Sequence, residues 1–268
     1  MSSEDHSHIK LEPVAHAEDQ MPDAKFTLGF LGAGVLVAII TYIVFSLFPT
    51  LDQEISRSFY SSESGFLMRH DEFAGGFRKL IIYSITIFYV VVLWCGLKSY
   101  NEQQSIWGLM WHKWAFLGFT ALGGAVMVVN VILKGNWGRA RPKDVNEFGG
   151  SVEFTPFWQW ANQCQDNCSF TSGEVAGVAV IAITIAFLFE SRMRIVTLCI
   201  GVIMSALVGW LRVATGSHFT SDAIMSVSLM MIFTSLFYYI FFLKEHNWFE
   251  RLDELQQKKL DQKKMSSG

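Results

Sequence analysis

Three groups of residues have the types and the spacing for phosphate chemistry. Lys134 is followed by six residues and then Arg141-Pro142, Thr171-Ser172-Gly173-Glu174 comes later, and Arg212 is followed by five residues, His218, three residues and Asp222. An anionic phosphate monoester repels nucleophiles. A site that cleaves it must spread positive charge over the non-bridging oxygens and hold attack in line. Lys134, Arg141 and Arg212 can supply that charge without a metal, arginine as a planar bidentate donor and lysine as a point charge. Asp222 follows His218 by four residues, the spacing of one helical face. A carboxylate there can hold one ring N–H and leave the other nitrogen free to attack phosphorus. Gly216 can make the turn before that helix, whose free N–H groups favour an anion. Ser172 and the Gly173 backbone can donate to phosphate oxygens, and Gly173 permits close approach. Glu174 has two readings. It is a leaving-group acid if protonated, which nearby cations oppose, or it caps a helix, because Thr171 and Glu174 have capping-box spacing. The competing reading of the cations is snorkelling toward lipid headgroups. Arg139 and Lys143, close by, are candidates for headgroup contact.

Such groups are costly beside a bilayer unless they serve something, and the rest of the chain supplies that setting. Hydrophobic residues make up 51% of the 268 residues and charged residues 17%. A run of about twenty apolar residues crosses a bilayer as a helix. Six runs are candidates, the fourth and fifth of them short: Phe26–Phe48, Leu80–Leu97, Trp114–Leu133, Gly173–Phe189, Ile195–Leu211 and Phe219–Leu243. Glu190-Ser191-Arg192-Met193-Arg194 reads as a tight polar turn between the fourth and fifth. Six such runs argue against the buried helices of a soluble protein. The expectation is an all-α integral-membrane bundle of six spans over residues 26–243, with a polar N-terminal tail (1–25) and a charged C-terminal tail (244–268). Trp248, Phe249, Leu252 and Leu255 could line a short surface helix in that tail, and a plain solvated tail is the alternative. The first run is long and sits behind an acidic segment, so it reads as a retained span. Six spans put both termini on one side. Lys98, Lys113, Arg192, Arg194 and Lys244 on that side, against Arg69, Arg78, Lys79 and the cations of the motif groups opposite, favour cytoplasmic termini. The motif loops would then face outward. A net charge of −3 offers no broad basic surface for nucleic acid, and no metal-ligand cluster or glycine-rich nucleotide loop is present in the sequence.

Cys95 and Cys199 lie inside spans and read as small packing residues. Cys164 and Cys168 lie in the outward loop just before Ser172. In an oxidising compartment they could close a disulfide; a metal site would need two more ligands, and the loop holds no histidine.

Lys134-x6-Arg141-Pro142, Ser172-Gly173 and Arg212-x5-His218-x3-Asp222 together resemble the three-part signature of the type 2 phosphatidic acid phosphatase superfamily. The resemblance implies a metal-independent phosphoric monoester hydrolase without a cofactor. It implies His218 as the nucleophile that forms a phosphohistidine, Asp222 as its orienting partner, and Lys134, Arg141, Ser172, Gly173 and Arg212 as phosphate binders. Three positions depart from the family pattern. Thr171 replaces a proline, Glu174 replaces the histidine that normally protonates the leaving group, and Leu211 replaces a serine. The run Asn167-Cys168-Ser169-Phe170-Thr171-Ser172-Gly173-Glu174 is similar to the bacterial lipid A 4′-phosphatase branch, which also carries an acidic residue there. That similarity implies a Gram-negative inner membrane, a site facing the periplasm and a phosphorylated lipid as partner, lipid A first. Undecaprenyl pyrophosphate, phosphatidylglycerol phosphate and phosphatidate are alternative substrates. A lipid phosphate binder or transporter is the non-enzyme alternative.

Overall fold

The computed structural model describes residues 22–189 and 191–243. The tails, apart from residues 22–25, and the surface helix read at Trp248, Phe249, Leu252 and Leu255 lie outside the described residues. Helix α1 (Ala24–Leu47) leads through a short α2 (Leu51–Arg57) and a hairpin, β1 (Tyr60–Ser61) with β2 (Gly65–Phe66), into α3 (Glu72–Glu102). Next comes α4 (Trp111–Asn136), and then a long irregular strap over residues 137–172. The chain closes with α5 (Gly173–Ala186), α6 (Ser191–Ala214) and α7 (Thr220–Leu243).

All six expected spans are helices, and they differ in one respect. The long helices α1, α3, α4, α6 and α7 have the length and apolar content to cross a membrane. Helix α5 has 14 residues, roughly 21 Å at 1.5 Å per residue, less than the ~30 Å of a hydrocarbon core. It sits inside the bundle, with Val175, Ala176, Gly177, Ala179, Val180, Ile183, Thr184 and Ala186 buried. Its small residues let neighbouring helices approach closely, and a helix surrounded by protein need not match bilayer thickness. The long helices turn apolar faces outward instead: Leu36, Ile39, Ile40 and Ile43 on α1, and Ile87, Val90, Leu93 and Trp94 on α3. That much exposed apolar surface is what a lipid-facing helix carries.

Two boundaries move from the sequence expectation. Helix α3 starts at Glu72, not Leu80, because the Asp71 carboxylate caps it by accepting from the Ala74 N–H at 2.8 Å. Arg78 and Lys79, expected in a loop, are therefore helical. Ser191–Arg194 of the expected turn also belong to a helix, the first turn of α6. The buried Arg194 donates to the Phe189 carbonyl at 2.8 Å, and its guanidinium lies 4.6 Å from the Phe26 ring. A carbonyl left open by the preceding segment is thus satisfied from the next helix.

The middle of α4, Leu122–Leu133, winds as a π-helix. Asn130 donates back to the Ala125 carbonyl at 2.7 Å, five residues away. Gly124 faces α7, where an added Cβ would meet Met230 Sδ at 3.0 Å and Phe233 at 3.1 Å. The hydrogen bond from the Tyr238 hydroxyl to the Pro22 carbonyl, 3.1 Å, brings both described ends of the chain to one end of the bundle. The hairpin, the strap and the α6–α7 turn gather at the other.

Candidate active site

The strap is folded by its own backbone. Gly138 takes a left-handed conformation (φ +68°), and a Cβ there would run into the Ala161 carbonyl. Ala161 N–H donates to Trp137 O at 3.0 Å, Gln163 N–H to Gly138 O at 3.0 Å and Ser169 N–H to Arg139 O at 2.8 Å. Cys164 and Cys168 are paired, with Cα atoms 5.6 Å apart. Asn167, inside that small ring, is also left-handed (φ +48°), which asparagine tolerates better than most residues. Its carbonyl accepts from Arg141 Nε at 3.0 Å and Nη2 at 2.6 Å, and its side-chain oxygen faces Lys134 Nζ at 3.5 Å. One residue thus engages both cations of the first motif.

His218 follows the turn that ends α6. Gly216 is left-handed there (φ +65°), and a Cβ would collide with the Phe66 ring. The Ser217 and His218 N–H groups return to the Arg212 carbonyl at 2.9 and 3.2 Å. The imidazole is buried, with Nδ1 2.7 Å from the Ser169 carbonyl. A carbonyl oxygen only accepts, so Nδ1 carries the proton and Nε2 keeps its lone pair. Burial, then Lys134, Arg212 and Arg141, push the pKa of His218 well below the ordinary 6.5 against the opposing Ser169 bond. The imidazole is therefore neutral at pH 7.

Asp222 does not take the place the spacing suggested. His218 precedes α7, whose first residue is Thr220, so the pair does not share a helical face. The carboxylate turns back to accept from Phe219 N–H at 2.9 Å and from the Ser169 hydroxyl at 2.6 Å. Its Oδ2 lies 3.9 Å from His218 Nδ1, too far for a hydrogen bond. Ser169 links the two instead, carbonyl to imidazole and hydroxyl to carboxylate.

Arg139 is the main partner of Asp222. It is fully buried and not at a headgroup. Its guanidinium donates to Asp222 at 2.5 Å, Asp52 of α2 at 2.8 Å, Ser221 Oγ at 2.9 Å and the Thr155 carbonyl at 2.9 Å. Burial works to lower its pKa, but Asp222 and Asp52 outweigh that and the net direction is upward. Asp52 also accepts from Ser221 N–H at 2.9 Å and from its hydroxyl at 2.5 Å. Asp52, Ser169, Asn167 and Arg78 all bear on the site, and none stands out by spacing. Arg139 was visible only as a nearby cation.

The start of α5 completes the cluster. Ser172 is its N-cap and makes no side-chain cap bond; its N–H donates to Ser226 Oγ at 2.9 Å. Among the described residues, the buried hydroxyls of Ser172 and Thr171 and the Nε of Arg212 have no hydrogen-bond partner. A Cβ on Gly173 would strike the Asn130 side chain, so this glycine admits Asn130. Glu174 makes no capping box with Thr171. It bridges Arg78 at 2.9 Å and Arg212 at 3.4 Å, the latter an ion pair without hydrogen-bond geometry. The capping reading thus finds no bond behind it. The arrangement holds a neutral imidazole beside Lys134, Arg141, Arg212 and the open N–H groups of a helix start, which together can bind an anion and attack it.

A lipid A 4′-phosphatase of Francisella tularensis subsp. novicida (strain U112) is 27% identical over 214 residues, covering 79% of this chain and 96% of that protein. One from Rhizobium leguminosarum is 28% identical over 207 residues, covering 72% and 88%. The crystal structure of a transmembrane PAP2 type phosphatidylglycerolphosphate phosphatase from Bacillus subtilis aligns over 82% of this chain, with 20% identity and a TM-score of 0.47. The family model of the PAP2 superfamily matches residues 112–245, half of the chain, and that stretch holds all three motif groups: the chain belongs to the PAP2 superfamily, as a phosphatase carried on a membrane-spanning helical bundle.

Proposed function

We propose that the chain removes the 4′-phosphate of lipid A through a phosphohistidine on His218. The observation that carries the mechanism is the buried neutral imidazole, proton on Nδ1, set among three cations. The relatives named as lipid A 4′-phosphatases support the substrate. The phosphate enters at the start of α5 and takes Lys134, Arg141 and Arg212 as partners, with Ser172 Oγ and the Gly173 N–H as donors. Asn167 gives up the first two cations, and Glu174 gives up Arg212. Nε2 attacks phosphorus in line. Glu174, on giving up Arg212, takes a proton from the substrate's monoanionic phosphate; the P–O ester bond then breaks with its electron pair on the leaving oxygen, which takes that proton from Glu174. Water then attacks the phosphohistidine, Glu174 accepts its proton, and the N–P bond breaks to free phosphate and restore the imidazole. Asp222, through Ser169, holds the imidazole that carries both steps.

The same reading treats residues 26–243 as one membrane unit with its site facing the periplasm and both termini in the cytoplasm. The paired Cys164 and Cys168 support an oxidising compartment for the strap. Reporter fusions after Asn101 and after Phe148 test this, and a cytoplasmic Phe148 overturns it. For the mechanism, rapid quenching with labelled lipid A traps an acid-labile, base-stable phosphoprotein. His218→Ala forms none and releases no phosphate. Robust hydrolysis by that folded variant eliminates the covalent route.

A further inference from the structure

A cavity of about 290 Å³ opens beside the site, lined by Arg69, Arg78, Arg141, Lys143 and Arg212. One phosphate monoester carries at most two negative charges, and Lys134, Arg141 and Arg212 already surround the place where it would react. Arg78 is held by Glu174 at 2.9 Å. That leaves Arg69 and Lys143. They arrive from separate segments, Arg69 from the turn between β2 and α3, and Lys143 from the turn after Arg141-Pro142. Among the described residues, neither side chain has a hydrogen-bond or ion-pair partner. The lining includes the hydroxyls of Thr215 and Ser217, 3.0 Å apart, and no carboxylate. Cations converging on a concave wall repel one another and concentrate anions there.

We propose that Arg69 and Lys143 form a second anion subsite, next to the reacting phosphate, for a phosphate or carboxylate. The anion belongs either to the substrate itself, as a second charged group on its headgroup, or to a neighbouring anionic lipid. The inference rests on the lipid phosphatase reading above and adds a selectivity to it: the enzyme favours lipids presented with two anionic groups within one cavity's reach. The Lys143 backbone N–H donates to the Gly216 carbonyl at 3.1 Å, and that bond survives side-chain replacement, so the turn that carries His218 is kept.

The test uses two synthetic glycolipids, identical except that one carries a second phosphate, in neutral detergent micelles. Arg69→Gln and Lys143→Gln each raise KM for the doubly phosphorylated lipid about tenfold, the scale of one lost hydrogen bond to a charged group, with kcat little changed. KM for the singly phosphorylated lipid stays put. In a third arm, the singly phosphorylated lipid is assayed in micelles doped with phosphatidylglycerol. A loss confined to this arm identifies a neighbouring headgroup as the source of the anion. Equal shifts for both lipids in neutral micelles, or no shift in any arm, overturn the subsite. If the unaltered protein releases phosphate from neither lipid, the function reading itself fails, a result that cannot be confused with the others.

Discussion

Replacing Arg139 with methionine tests the buried charge cluster most directly. One guanidinium, fully buried, is the ion-pair partner shared by two carboxylates that are 3% and 0% exposed. Methionine keeps much of the volume but leaves Asp52 and Asp222 buried as like charges with no cation. Removing one partner of a buried pair costs about 3–5 kcal/mol. In a protein of this size that is a fall in unfolding temperature of roughly 6–20 °C. Asp52→Asn is milder, because Arg139 and Asp222 remain as a balanced pair. It loses a charge-assisted hydrogen bond and turns an amide toward the guanidinium, about 1–3 kcal/mol. The double variant falls less than the sum, since Asp52→Asn relieves the repulsion that Arg139→Met creates. Thermal unfolding in detergent, followed by tryptophan fluorescence, reads all three. A fall below about 3 °C for Arg139→Met, the outcome for a cation that merely touches headgroups, would refute the reasoning. So would strict additivity.

Glu174→Gln lowers turnover by roughly 10²–10⁴-fold while lipid binding survives, if the carboxyl serves the leaving oxygen; a near-wild-type rate in the folded variant sinks that role. In native, never-reduced membranes neither Cys164 nor Cys168 reacts with a thiol reagent, and free labelling of both rules the pairing out. Replacing both with serine costs about 2 kcal/mol on the loop-closure estimate and loosens Asn167, so KM rises more than kcat falls. Stability depends on pH through His218. Its folded pKa is depressed, so below about 6.5 the unfolded chain binds a proton that the folded chain does not. This contribution is complete above that pH and is lost as pH falls toward the folded value, by at most about 1.4 kcal/mol per unit. The unfolding temperature therefore drops more between pH 7.5 and 5.5 in the unaltered protein than in His218→Gln; equal drops contradict the burial of a neutral imidazole.

The membrane class, the chain positions of the spans and the three motif groups were legible along the chain. Each of these depends on local information. A bilayer demands about twenty apolar residues in a row, and Lys134 with Arg141, or Arg212 with His218, sit on either side of a single turn. Boundaries were less legible where a cap or a buried arginine extended a helix, as Asp71 does for α3 and Arg194 for α6. The run read as short at Gly173–Phe189 ends three residues earlier as α5, and its neighbours, not lipid, surround it. Which partner each charge takes depends on how distant segments pack. Asp52 and Ser221 are 169 residues apart, and Arg78 and Glu174 are 96 apart. The i,i+4 spacing pointed Asp222 at His218, yet the carboxylate pairs with Arg139 because α2, the strap and the start of α7 converge there. A buried charge must find an opposite charge and fill its hydrogen bonds wherever packing brings them, and no periodicity along the chain records where that is.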